Sequence, residues 1–160
     1  MKIRQLARVA VLVALSVLGS FIKIPSMVGS LAFDAVPGYY AALAVSPLTG
    51  AVVAGLGHVA TAFVSGLPLG APIHAIVVLG MTLAGYVTGV AAKRSRLLGC
   101  AAGVVINGLA LPALFIVIPG FGMAFFLAAT PSILGASVLN VSVALALAKL
   151  PLLAKVSHAQ

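Results

Sequence analysis

Acid is almost missing from this chain: among 160 residues there is one, Asp34, beside nine lysines and arginines and three histidines. Charged residues of either sign make up 6%, where a soluble domain needs roughly 25% to cover its surface. A water-soluble fold is thereby excluded, and with 63% hydrophobic residues the chain reads as an integral membrane protein. Cys100 stands alone, so an internal disulfide and a cysteine-rich metal site are both out of reach, and we expect it to be structural. Tryptophan is absent. No G-x-x-x-x-G-K-[ST] phosphate loop is present, so the chain hydrolyses no ATP by itself. Without H-E-x-x-H and without a second acidic side chain, neither a zinc peptidase nor a paired-acid hydrolase fits. No acid falls inside a predicted span, which leaves the usual intramembrane proton or cation relay without a carrier. The expectation is a chain that is no enzyme, needs no cofactor or metal, and depends on a partner for energy.

What is present is apolar sequence cut by short punctuation. The net charge of +8 sits in clusters at span ends, where topology explains it better than nucleic-acid binding does. Residues 1–22 open with Lys2, Arg4 and Arg8 ahead of an apolar run. That looks like a secretory signal, but five more apolar segments follow and Lys23 makes a poor cleavage context, so we expect it to stay as the first helix. Residues 35–92 contain no Lys, Arg, Asp or Glu and are too long for two spans of about 20 residues, but suit three. SPLTG (46–50) and SGLPLGAP (65–72) supply the breaks, which predicts helices near 35–45, 51–64 and 72–92. PGFG (119–122) divides residues 97–148 into a fifth and a sixth. KRSR (93–96), Lys149 and Lys155 then fall on the same side as the N-terminus, and Lys23 is the one basic residue on the other. We therefore expect an all-α membrane protein in one domain, 1–160: a compact bundle of six transmembrane helices, both termini cytoplasmic, with outer loops at 23–34, 65–72 and 119–122.

The stretch 57–81 places His58 and His74 on either side of the SGLPLGAP break. His58 lies about six residues below the break, or ~9 Å at 1.5 Å per residue, within reach of a site opened from outside. Intramembrane ionisable groups are functional candidates by default; the plainer reading is a hydrogen bond between helices. Asn107 and Thr130 carry the same alternatives more weakly, and Asn140 lies deep enough to read as packing. Asp34 and Lys23 end one loop, either pairing with each other or offering a ligand an acceptor and a donor, with the Tyr39 and Tyr40 rings just below for stacking. Pro112 and Pro131 fall inside the last two helices, where each removes a backbone hydrogen bond and bends its helix. Small residues recur at four-residue spacing: Ala10 and Ala14, Gly80 and Ala84, Gly85 and Gly89, Gly99 and Gly103. Such faces let helices approach closely.

Six helices in so short a chain, a long first outer loop, the SPLTG turn, and Ala10 and Ala14 at A-x-x-x-A spacing together resemble the substrate-binding (S) components of energy-coupling factor (ECF) vitamin transporters. The resemblance implies a subunit of the bacterial cytoplasmic membrane that captures a vitamin or cofactor precursor from outside. It implies partners too: lipid, a transmembrane coupling protein docking on Ala10 and Ala14, and two ABC-type ATPases. KIPSMVGSLAFDAVPGYYAA, the GH pair at 57–58 and SGLPLGAPIH look most like the branch associated with α-ribazole, a cobalamin precursor. Riboflavin or another B vitamin is the alternative, and a small intramembrane enzyme using His58 and His74 as acid and base is a third. The expected substrate-binding set is Lys23, Asp34, Tyr39, Tyr40, His58, His74, Asn107 and Thr130.

Overall fold

A computed structural model describes residues 3–25 and 30–150. Five helical runs are long and apolar enough to cross a bilayer: α1 (Ile3–Phe21), α3 (Pro47–Val64), α4 (Ala71–Ala92), α5 (Arg96–Val117) and α6 (Gly122–Ala148). Between the first two lies α2 (Val36–Ala44), only nine residues long. At 1.5 Å per residue it covers ~14 Å, under half of a ~30 Å hydrocarbon core. A helix therefore stands where the sequence predicts the second, but its length alone does not span.

The breaks follow local chemistry. Ser46 caps α3 by accepting a hydrogen bond from the Thr49 N–H at 3.0 Å, with Pro47 opening the helix, so SPLTG ends one helix and starts the next. Between α3 and α4 the chain reverses through Gly66, Leu67 and Gly70, all at positive φ (75°, 52° and 79°). Leu67 is the non-glycine among them, in a region that side chains seldom adopt.

Small residues close the bundle. A Cβ on Gly85 would stand 2.5 Å from the Gly50 carbonyl oxygen, and one on Gly89 would stand 2.5 Å from the Pro47 Cα. The α3–α4 seam is thus a backbone-to-backbone contact that any larger residue would wedge apart. α2 fills the centre, with Val36, Tyr39 and Leu43 packed against Ala54 of α3, Met81 of α4 and Val141 and Ala144 of α6.

The expected loop at 23–34 includes a short antiparallel hairpin, β1 (Lys23–Pro25) with β2 (Ser30–Ala32), pairing Lys23 with Ala32 and Pro25 with Ser30. It is anchored behind by Phe33 N–H donating to Gly19 O at 3.1 Å. α5 is not uniform either. It is α-helical through Val105, widens to a π turn over Ile106–Ala110 and tightens to a 3-10 turn over Phe115–Val117. The π turn directly precedes buried Pro112, whose ring has no N–H to give and crowds the carbonyl four residues back; the wider turn accommodates it. Pro131 is exposed within a continuous α6. At the opposite end from the hairpin, the Arg96 guanidinium donates to the Ala148 carbonyl at the end of α6 at 3.5 Å, bringing the basic α4–α5 turn beside Lys149.

Candidate functional site

A cavity of about 290 Å³ lies between the hairpin, α3, α4, α5 and α6. Its size sits at the foot of the roughly 300–1,000 Å³ usual for small-molecule sites, enough for one compact ring system. Four of the eight residues in the expected substrate-binding set line it: Asp34, His58, His74 and Asn107. Because the Gly/Pro reversal runs α3 and α4 antiparallel, His58 and His74 meet across the seam, His74 Nδ1 to His58 Nε2 at 3.4 Å with ring centroids 5.6 Å apart. A contact between two ring nitrogens needs a lone pair on one of them, so at least one imidazole is neutral while it holds. Asp34 follows the hairpin and accepts from the Thr61 hydroxyl at 3.3 Å; that hydroxyl also lies 3.1 Å from the His58 carbonyl. The chain's single carboxylate is thereby tied to the same turn of α3 that carries the imidazole.

Asn107 sits in the π turn and donates through Nδ2 to Ser137 Oγ of α6 at 2.9 Å, while the Ser137 hydroxyl donates to Ile133 O at 2.8 Å. Asn140, which reads as packing in the sequence, also lines the cavity. Its Nδ2 donates to Ala32 O in β2 and to Ala136 O one turn back, both at 2.8 Å. Phe115 and Phe125 form an aromatic wall of the cavity, their rings 5.4 Å apart and joined by Phe121. Sequence reasoning passed over these phenylalanines; the signal was their clustering on both flanks of PGFG.

The other candidates lie elsewhere. Tyr39 is buried in the α2 core with its hydroxyl 3.4 Å from Gly103 O. Tyr40 faces an apolar groove beside α1, and Thr130 is buried in α6 away from the cavity lining. The backbone of Lys23 belongs to β1, but its side chain lies outside the described residues. Ala10 and Ala14 are exposed on α1. Among the described residues no group of three or more His, Cys, Asp or Glu could hold a metal ion.

The groove that Tyr40 faces is larger, about 870 Å³, and is bounded by α1, α2 and the end of α6 through Leu15, Leu18, Val36 and Leu147, with Arg8 at its basic end. Its walls offer scarcely any polar surface, so it suits aliphatic chains or an apolar helix face rather than a water-borne ligand.

Comparison with known proteins gives a consistent picture. A family model described as ECF transporter, substrate-specific component, matches residues 4–157. A solved structure of the S component of a bacterial ECF transporter has the same fold, with a TM-score of 0.67 at 21% sequence identity, covering 92% of this chain and 94% of that one. Comparison with curated proteins finds no match.

Proposed function

Since this chain belongs to the family of ECF transporter substrate-specific components, a multi-pass membrane family and not an enzyme class, we propose that the cavity beneath the hairpin captures its substrate from outside the cell. The observation that carries the reading is convergence. Asp34, His58, His74, Asn107 and Asn140 come from five separate parts of the chain and meet at one hollow. Polar side chains in a bilayer are costly, and a fold that gathers them around a cavity has a use for them beyond packing.

Orientation follows from charge. Arg4, Arg8, Lys93, Arg94, Arg96 and Lys149 lie toward one end, and the cavity lies nearer the other, with Leu69 of the α3–α4 reversal in its lining. The positive-inside rule puts the basic end in the bacterial cytoplasm, with α2 and its flanks serving as the second of six passages and both termini inside. Asp34, His58, His74 and Asn107 then contact the ligand. Of the rest of the set named from the sequence, Tyr39 acts indirectly, from the core that backs the cavity, while Tyr40 and Thr130 stand apart from its lining. Ala10 and Ala14 receive a transmembrane coupling protein, which links the chain to two ABC-type ATPases that supply the energy.

The ligand we favour is α-ribazole, a neutral nucleoside: the imidazoles and phenylalanines offer its ring stacking partners, and the carboxylate and amides offer its sugar hydroxyls hydrogen-bond partners. Riboflavin is the second reading, favoured by the same Phe115–Phe125 wall. Equilibrium binding to the purified chain tests both, with mass spectrometry of whatever co-purifies. A dissociation constant below about 1 µM, near −8 kcal/mol, is expected for one of them. If neither these nor other B-vitamin precursors bind in that range, the capture role is wrong.

A further inference from the structure

Two buried polar atoms at the cavity wall have no hydrogen-bond partner among the described residues, His74 Nε2 and Asn140 Oδ1, on residues 9% and 2% exposed. The Asn140 amide has a defined orientation. Its nitrogen faces two carbonyl oxygens, Ala32 O and Ala136 O, and the flipped amide would set oxygen against oxygen twice. Oδ1 is therefore a fixed acceptor. His74 is adaptable, because either ring of the His58–His74 pair can carry the shared proton, leaving His74 Nε2 as acceptor or donor accordingly.

Resting on the capture reading above, we propose that Asn140 is the specificity-determining residue of the cavity and the link between its occupancy and the β-hairpin. The ligand is a compact ring compound that enters with an N–H or O–H leading. That donor meets Asn140 Oδ1, and a second polar edge, donor or acceptor, meets His74 Nε2. Oδ1 is shut from solvent while β2 stands on the same amide, so a small shift of Ala32 and Asn140 admits the donor. Once Oδ1 accepts, amide polarisation makes Nδ2 a better donor, and its bonds to Ala32 O and Ala136 O strengthen together. The residue that reads the ligand thus also pins the strand above it, across 108 positions of sequence.

The experiment combines ligand affinity with amide hydrogen exchange of β1 and β2 on the full chain, using α-ribazole and riboflavin, both O–H donors, as probes. In the unaltered protein, saturation with the probe that binds should slow hairpin exchange. Asn140→Leu, which keeps the branched heavy-atom skeleton but replaces the amide oxygen and nitrogen with methyls, should speed exchange without ligand, lower affinity about tenfold to a hundredfold, and abolish the slowing at saturation. Affinity unchanged in Asn140→Leu, or hairpin exchange in the unaltered protein indifferent to saturation, overturns the proposal; the second readout stands even if the variant fails to fold. Failure of the unaltered protein to bind any probe or retain any co-purifying ligand sinks the capture reading and this inference with it. Binding with an indifferent hairpin sinks this inference alone.

Discussion

Two hollows in this molecule differ in a way that size alone would misjudge. The groove along α1 measures about 870 Å³ and the cavity under the hairpin about 290 Å³, yet the polar side chains are gathered at the smaller one. In a soluble protein the largest apolar cleft is the default binding site. In a bilayer the solvent is itself apolar, and an apolar groove on the outside of a bundle is filled by whatever lies next to it. A polar hollow cannot be filled that way. The difference teaches that, for a membrane chain, the site is found by asking where hydrogen-bonding groups converge rather than where space is greatest.

The largest effect should come from the α1 side. Ala14→Trp puts a bulky ring on the exposed face that we propose receives the coupling protein, so uptake and co-purification with the partners should be lost. Ligand affinity of the isolated chain should stay within about threefold. If the substitution instead destroys ligand binding and spares the complex, the alanine face belongs inside the bundle and the two regions have been assigned the wrong way round. Next is the cavity itself. His58→Ala removes one ring of the imidazole pair and strands the other, which should weaken binding by roughly 1.4–2.8 kcal/mol, about tenfold to a hundredfold, with assembly intact. Asp34→Ala should act in the same direction. Smallest is Tyr40→Phe, at the wall of the apolar groove: a calorimetric titration should give an affinity within about 0.5 kcal/mol of the parent. A larger loss there would show that the two hollows communicate.

Much of this arrangement is written locally and so was legible. Ser46, Pro47 and Thr49 carry a cap in their own side chains, and the Gly/Pro reversal at 65–72 needs nothing distant to bring His58 opposite His74. What the sequence hid depends on contacts far apart. The three-residue strands β1 and β2 have no length in which alternation could declare itself, and part of their hold comes from Gly19 and Asn140. Depth along α6 suggested packing for Asn140, because nothing in the chain announces that a hairpin folds down to meet it. The faces of α2 were equally unreadable: seven of its nine residues are buried, so no periodicity separates Tyr39, turned to the core, from Tyr40, turned to the groove. Thr130 shows the same limit, a polar residue in a span whose neighbours are fixed by tertiary packing.

The π turn at Ile106–Ala110 amounts to one residue spliced into an otherwise regular helix. Each α-helical residue advances the chain by about 100° around its axis, so an inserted residue acts as a frameshift in space: everything beyond it faces a different way. Leu111, Pro112 and Phe115 lie beyond it and line the cavity, whereas Gly99 and Gly103, before it, pack against Thr88. Deleting one residue from the π turn would give a more regular helix of the same hydrophobicity, fit to insert in a bilayer, with its aromatic wall swung toward the lipid. The cavity-lining face of α5 is thus encoded by a count of residues as much as by their kind, and deleting Leu109 alone would turn it away while leaving every lining side chain of α5 in the sequence.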